Sequence, residues 1–501
     1  MELTPEQARL IGSIEASALR IKVPPRPRLG LALAPAVAGT ICTLVAGMVA
    51  FGGKDHGFTP GMIATILVVH FGTMYPPLAY MFREYRRHKD VMDPCVVSAA
   101  SFAVFHIAFN PLVLTSYGSL AARKLQYAMS EELTETALMG YAIVFVSWVA
   151  YRVGCSQMLA GSGGERDRGE SRSQRTLMFL WVGIAFVIIG IIGNIGSLGS
   201  WQLYLQKMTQ FFARWTIYEE AMDLGGSMKW PIASRFLPVG LTVLAYGYAR
   251  YCDVRDRSLL LYLGSVAIVN VFLNCATGQR SDTLMVVLYS VVVVNHSIRR
   301  LSVRQVAAIV GVFLCVSMIL GSLRDAEYFD TSAADMWRMN AQGFVEHFTD
   351  FYMTNFLGTL TLVAEVRSSG TVGGMTAFAG LTGLLGGETP VTTQAEVFYR
   401  LIGRRQAGNP RYGPPGEFYF NFGWVGVILG MAGIGMVIAL CARIYRGCKE
   451  RASVYSAMVA IFAVLTAQFL VIANLSYIPP YFTYTSAAPY LVFFCFRNRR
   501  C

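Results

Sequence analysis

Four arginines stand close together late in the chain. Arg400, Arg404, Arg405 and Arg411 fall within twelve residues. A planar guanidinium donates paired hydrogen bonds that match the oxygens of phosphate, so such a cluster is typical of a site that holds a phosphate or diphosphate. The alternative is that these arginines contact the phosphates of ordinary membrane lipids, or form ion pairs with nearby carboxylates such as Glu396.

Candidate proton acceptors occur around this cluster in the sequence. A positioned carboxylate or histidine can take the proton of an attacking hydroxyl group, and the residues that suit this role are Glu396, Glu417 and His347. Glu417 follows Pro414-Pro-Gly416 at the start of an apolar block, where the positive end of a helix also favours a carboxylate. Helix capping therefore explains Glu417 as well as catalysis does.

Two further arginines stand apart from the cluster. Arg280 lies in the short polar stretch 278–282 between two apolar blocks, and a charge held so close to a membrane usually has an assigned partner. That partner is either a substrate phosphate or Asp282. Arg214 belongs to an aromatic segment near 201–222, whose spacing predicts an amphipathic helix on the outer membrane surface or a packing helix over the bundle.

The composition indicates which elements position these residues. Of 501 residues, 54% are apolar and only 14% are charged, whereas soluble proteins carry about 25% charged residues. The apolar residues form blocks long enough to cross a bilayer, separated by charge clusters. We therefore predict an all-α, polytopic integral membrane helical bundle of about twelve transmembrane helices. The predicted spans are 29–52, 59–82, 95–117, 136–156, 176–198, 235–250, 258–276, 282–296, 305–323, 416–442, 453–474 and 480–496.

Positive charge predicts the orientation of the bundle. Most of the 42 Lys and Arg residues fall in alternate short loops, and such loops face the cytoplasm. The N-terminus (1–28) and the tail (497–501) are then cytoplasmic, and the first apolar block stays as a membrane helix instead of being cleaved. Topology accounts for the net charge of +12. No loop carries a nucleic-acid-binding module.

Two outer loops, 199–234 and 324–415, are large, and loops of that size are usually functional. The second lies between helices 9 and 10 and separates helices 1–9 (29–323) from helices 10–12 (416–496). It contains apolar stretches at 351–366 and 375–385. As a re-entrant pair these stretches leave the count at twelve, and as two spans they raise it to fourteen.

The sequence predicts neither a metal nor a cofactor. No nucleotide-binding loop is present, and no cluster of acidic residues has the spacing of metal ligands. The ten cysteines avoid the large outer loops and show no zinc-ligand spacing.

The stretch 412–426 reads Tyr-Gly-Pro-Pro-Gly-Glu-Phe-Tyr-Phe-Asn-Phe-Gly-Trp-Val-Gly. With the residues from 386 to 430 around it, it resembles the Wzy-type O-antigen polymerase family of oligosaccharide repeat-unit polymerases. Members similarly end a large outer loop in a Pro-rich, Gly-Glu-aromatic, Asn-Phe-Gly-x-x-Gly entry to the next helix. The stretch 278–282 resembles the family's Gly-x-Arg turn. Arg-x10-Gly, which the family shows in its third and fifth outer loops, is matched by Arg214 with Gly225 and by Arg405 with Gly416.

The resemblance implies glycosyl transfer at the outer face of the bacterial cytoplasmic (inner) membrane. A hydroxyl of one undecaprenyl-diphosphate-linked oligosaccharide attacks the anomeric carbon of another, and the lipid diphosphate leaves without help from a metal or cofactor. The product is O-antigen or another surface polysaccharide. The implied partners are the lipid-linked oligosaccharide, membrane lipid and a chain-length-regulating co-polymerase.

The resemblance also suggests a role for each candidate residue. Arginines would hold the diphosphate and stabilise the charge that grows on it; these are Arg280, Arg404, Arg405 and Arg411. Arg214 would orient the lipid or sugar, and Arg400 and Tyr412 would add to substrate binding. Glu417, Glu396 or His347 would accept the proton.

Other activities stay open at this level. An O-antigen-ligase-like glycosyltransferase also combines outer arginines with a lipid diphosphate donor. A polyprenyl-monophosphate sugar transferase would need a metal and would depend on Asp55 in the first outer loop. A lipid-linked oligosaccharide flippase or other transporter would show internal repeats and charges at mid-membrane, neither of which is evident. A purely structural assembly protein is the remaining alternative.

Overall fold

The computed structural model describes ten helices and the residues next to them. The described residues are 60–108, 110, 133–160, 172–209, 236–252, 280–309, 354–374, 376, 413–448 and 454–473, with isolated positions in 258–268, 311–312 and 332–335. The predicted spans 29–52 and 480–496 lie outside them. All of the described residues belong to one unit, Thr43–Cys501.

The helices follow the apolar blocks of the sequence. In chain order they are α1 (Pro60–His88), α2 (Pro94–Ala103), α3 (Leu133–Ala160), α4 (Arg172–Leu198), α5 (Trp201–Thr209), α6 (Phe236–Tyr251), α7 (Arg280–Val293), α8 (Thr354–Ser369), α9 (Gly413–Gly447) and α10 (Val454–Ile472). Wider π-helical turns continue α2 over Val104–Ala108 and α7 over Val294–Ile298. The described part of the chain contains no strand, so the all-α prediction is confirmed there.

Helix ends follow local chemistry. The Asp93 side chain accepts a hydrogen bond from the backbone of Cys95, and Pro94 occupies the first turn of α2, where a proline costs no hydrogen bond. Helix α1 continues past the predicted end at 82 through Arg86, Arg87 and His88. These cations suit the negative end of a helix.

Among the described residues, four helices are long and apolar enough to cross a membrane, over Glu135–Leu159, Leu180–Leu198, Gly413–Gly447 and Tyr455–Ile472. Helix α4 also exposes Ile184, Ile188 and Ile192 on one face. Such a stripe would be costly in water but suits contact with lipid. The described helices therefore indicate a membrane-embedded protein, and the count of twelve spans stays a prediction.

Two groups of helices pack around α10, which is almost entirely buried. The first combines α1, α2, α3, α8 and α9 around large aromatic side chains such as Tyr141 and Trp148. The second combines α4, α6, α7 and the end of α9. Glycines allow the closest approaches: a Cβ on Gly154 of α3 or on Gly435 of α9 would overlap the backbone of the facing helix.

Candidate functional site

Helix α9 is broken at Gly423, which adopts φ 61° and ψ −149°. This conformation is essentially restricted to glycine. Beyond the break, the ring of Phe418 occupies the space where a Cβ on Gly430 would stand. In a continuous helix these two residues would be about 18 Å apart. Residues 413–422, here called the entry segment, therefore fold back along the rest of α9.

Gly426 and Gly430 thus serve a contact within α9. A Cβ on Gly426 would overlap the carbonyl oxygen of Phe418 and the side chain of Phe422. Both glycines make room for the entry segment, so the Asn-Phe-Gly-x-x-Gly pattern encodes a turn in the helix and the space into which it folds.

Backbone groups freed by the break are bonded by the residues that follow α8. The amide of Val372 donates to the carbonyl of Phe420 over 3.1 Å, and the amide of Gly373 donates to that of Asn421 over 3.0 Å. The Asn421 side chain donates to Thr376 Oγ1 over 2.7 Å and to the backbone carbonyl of Glu417 over 2.8 Å. Irregular backbone inside a membrane protein is stable only with such partners. The entry segment and the end of α8 therefore form one unit.

Glu417 lies in the entry segment and is fully buried. Next to it, Gly416 packs so closely on α8 that a Cβ would stand 2.8 Å from Thr359 Oγ1. The Thr359 hydroxyl donates to the carbonyl of Asn355 over 2.8 Å. The structure thus places Glu417 near the N-terminal end of α9, and the backbone beside it packs against the face of α8 that carries Asn355 and Thr359.

His106 lies next to the start of α9, in the π-helical turn after α2. A Cβ on Gly413 would overlap its ring and would lie 3.1 Å from Asn355 Nδ2, and Gly413 has a positive φ of 64°. His106 Nε2 lies 2.8 Å from the carbonyl oxygen of Val471. Because a carbonyl only accepts, Nε2 carries the hydrogen and Nδ1 is left as an acceptor.

Three buried atoms of this region have no hydrogen-bond partner among the described residues: His106 Nδ1, Asn355 Oδ1 and His70 Nε2. The Asn355 amide nitrogen donates to the carbonyl oxygen of Ile472 over 3.4 Å. This bond identifies the other atom of the amide group, which has no partner, as the oxygen Oδ1, and this oxygen can only accept. His70 Nδ1 lies 3.3 Å from the Tyr141 hydroxyl. Buried polar atoms are normally bonded. His106 Nδ1 and Asn355 Oδ1 are acceptors, and two such free acceptors fit a ligand that donates, such as a hydroxyl group or water.

We call Glu417, His106, Asn355 and His70 the outer cluster, after the side of the membrane on which the sequence predicts Glu417 to lie. His70 and His106 each form a hydrogen bond through one ring nitrogen. Asn355 and Thr359 had no sequence signal, because neither belongs to a motif. Their role depends on the contact between α8 and α9, two elements that local sequence does not connect.

A second polar region lies at the C-terminal ends of α1 and α9, at the other end of α9 from the entry segment. Arg446 binds Asp93 through two bonds of 2.6 Å and 2.9 Å, and its Nη2 lies 3.4 Å from Glu84. Asp90 accepts from Tyr445 over 3.1 Å and from Asn295 over 2.7 Å. All three carboxylates are buried. We call these residues the inner network, after the cytoplasmic side on which the sequence predicts these helix ends to lie.

All four members of the arginine cluster lie outside the described residues. Glu417 is described in full, and Arg280 is described as the first residue of α7 by its backbone. The other predicted site residues lie outside the described residues; they are Arg214, His347, Glu396, Arg400, Arg404, Arg405, Arg411 and Tyr412.

No family model, curated protein or solved structure matches the chain. Among the described residues, no group of three or more His, Cys, Asp or Glu side chains is arranged to hold a metal ion. The predicted independence from metals stays a prediction.

Proposed function

We propose that the protein is a membrane glycosyltransferase that polymerises oligosaccharide repeat units carried on undecaprenyl diphosphate. The observation that carries the proposal is the outer cluster, in which Glu417 is buried in the entry segment and the first residue of that segment, Gly413, packs against His106 and Asn355, each of which has a buried acceptor atom. Sugars are rich in hydroxyl donors, which such acceptors would bind. The sequence resemblance is centred on the same segment and supports the proposal independently.

In the proposed reaction, a hydroxyl oxygen of the acceptor sugar forms a bond to the anomeric carbon of the donor. The bond from that carbon to the diphosphate oxygen breaks, and its electron pair leaves with the diphosphate. Glu417 takes the hydroxyl proton. Its burial excludes water, which would otherwise compete with the acceptor hydroxyl.

The leaving diphosphate gains charge as the bond breaks, and positioned guanidiniums would stabilise that charge. Arg411 precedes the entry segment by two residues in the sequence, and Arg404 and Arg405 precede it more distantly. The proposal assigns these arginines and Arg280 to the diphosphate. The active site would then face the outer leaflet of the bacterial cytoplasmic membrane, with both termini cytoplasmic.

The test is gel analysis of surface and lipid-linked glycans in a strain that lacks the gene. We expect single repeat units in this strain and a full ladder after complementation with wild type. Glu417→Gln should reduce polymer formation by about 10²–10⁴-fold, the usual contribution of a general base. Glu135→Gln is the matched control, because Glu135 is an exposed carboxylate of α3, 3.0 Å from Arg367.

The outcomes separate the alternatives. A full ladder with Glu417→Gln, at normal protein level, would exclude Glu417 as the base. A full ladder with Arg405→Ala would remove the arginine cluster from the mechanism. Complete polymer stranded on the lipid carrier in the deletion strain would indicate a ligase, and unchanged glycans would exclude glycan assembly.

A transporter of lipid-linked oligosaccharides is the second candidate function. It is favoured by the break in α9 together with buried His70 and His106, because transporters use discontinuous helices and ionisable residues inside the bundle. Accumulation of lipid-linked units on the inner leaflet in the deletion strain would support transport over polymerisation.

A further inference from the structure

A groove of about 360 Å³ lies on the surface formed by α1 and α3. Its lining residues are Pro76, Phe145, Trp148, Val149, Arg152, Val153 and Ser156. Phe145, Val149 and Val153 are exposed and follow one another at intervals of four, which places them on one face of α3. Arg152 is about 17 Å along α3 from Tyr141, so the groove is distinct from the outer cluster.

Two guanidinium groups contact the Tyr80 ring: that of Arg152, which lines the groove, and that of Arg83. The guanidinium carbon of Arg152 lies 3.6 Å from the centre of the Tyr80 ring, and that of Arg83 lies 5.2 Å from it. Tyr80 is buried and packs edge-on against Trp148, with ring centres 5.8 Å apart. The contact of a cation with an aromatic face holds the Arg152 side chain in place.

The positive charge of these two groups is not balanced by the protein residues described. Arg152 forms no ion pair with any of them. Arg83 lies 3.5 Å from Glu84, but Glu84 also lies 3.4 Å from Arg446, and the Arg83 side chain is 63% exposed. Of the two cations at the groove, Arg83 therefore shares one carboxylate with Arg446, and Arg152 has no carboxylate partner among the described residues.

The groove extends about 17 Å along α3, from Phe145 to Ser156. A helix rises about 1.5 Å per residue, so Arg152 lies about 26 Å along α3 from Glu135, and the hydrocarbon core of a bilayer is about 30 Å thick. Arg152 is therefore near one boundary of the hydrocarbon, where lipid phosphates lie. Phe145 lies about 10 Å further into the hydrocarbon. The groove runs from the headgroup level into the region of the acyl chains.

We propose that this groove is a binding site for an anionic glycerophospholipid of the leaflet at the arginine-rich end of the bundle. Arg152 and Arg83 donate to the phosphate oxygens, and one acyl chain lies along Pro76, Phe145 and Val149. Guanidinium and phosphate match in charge and geometry. Two cations with little compensation favour an anionic headgroup over a zwitterionic one.

The test is native mass spectrometry of the purified full chain from nanodiscs that contain phosphatidylglycerol. Wild type is expected to retain bound phosphatidylglycerol, and Arg152→Gln to retain at least about tenfold less, because each 1.4 kcal/mol of lost interaction is tenfold in binding. The matched control is Arg304→Gln, which removes an exposed arginine at the same end of the bundle. It should retain lipid as wild type does.

A second variant tests the acyl chain without changing charge. Val149→Trp fills the exposed groove from α3 and should also lower lipid retention. Equal retention by Arg152→Gln and wild type would overturn the site, as would unchanged retention with Val149→Trp. Equal retention of phosphatidylcholine would overturn the anionic preference. The readout is the mass of bound lipid, so it is independent of glycosyl transfer.

Discussion

The inner network and the outer cluster are both buried and polar, but their bonding differs. In the inner network each oxygen of Asp93 and Asp90 has a donor, and Asn295 Oδ1 accepts from the backbone of Leu301 over 2.9 Å. In the outer cluster, His106 Nδ1 and Asn355 Oδ1 have no partner among the residues the structure describes. A bonded network stabilises a fold, whereas free buried acceptors suit a ligand.

The largest change in stability is expected when the inner network is broken. Arg446→Met leaves Asp93 buried without its cation and Glu84 with only the exposed Arg83, which should cost about 3–5 kcal/mol of stability. We expect a lower unfolding midpoint in detergent. Asp93→Asn added to Arg446→Met should recover part of the loss, because it removes one unpaired charge. An unfolding midpoint equal to that of wild type in Arg446→Met would contradict a stabilising role.

A matched pair of asparagines sharpens the comparison. Asn295→Leu removes a bonded amide and leaves Asp90 and Leu301 short of a partner, which should cost about 1–3 kcal/mol. Asn355→Leu removes a side chain whose oxygen is free, so its effect on stability should be smaller. The glycan ladder should respond the other way, with polymer lost for Asn355→Leu and kept for Asn295→Leu once protein levels are matched.

The reverse pattern would refute the distinction. If Asn355→Leu unfolded the protein as readily as Asn295→Leu, the outer cluster would be structural. Thermal unfolding of both variants in the same detergent, together with the ladder, decides between the two outcomes.

The smallest effect concerns His88, at the edge of the inner network. Partial burial, and then the positive charge of Arg446, lowers the pKa of His88 below its ordinary value, although Asp93 and Glu84 oppose this and Arg87 adds to it. The folded protein therefore resists protonation of His88. Stability should fall as the pH drops through about 6.5, the usual pKa of histidine in an unfolded chain.

His88→Gln should remove this pH dependence. We expect the unfolding midpoint of wild type to fall more between pH 7.5 and pH 5.5 than that of His88→Gln. The interval lies above the ordinary pKa values of Asp and Glu, so the carboxylates of the network stay charged. Parallel curves for the two proteins would show that His88 is not the group involved.

Hydropathy predicted the described helices because the tendency of a segment to enter lipid depends on its own composition, which can be read from consecutive residues. It could not predict the break at Gly423, since 416–442 has the length and composition of one membrane span and contains several glycines. The role of Arg446 could not be predicted either, because its partner Asp93 is distant in the sequence. The outer cluster was found only through Glu417, since the pairing of α8 with the entry segment depends on long-range packing.

The hydrogen bonds from Val372 and Gly373 to the entry segment have an evolutionary consequence. They join the two ends of the stretch 377–412 at a fixed place, so changes in its length need not move Glu417. Doubling the length of a flexible loop costs only about 0.6 kcal/mol. Changes of length within 377–395, which leave the proposed site residues from Glu396 to Arg411 intact, should therefore be tolerated by the described framework.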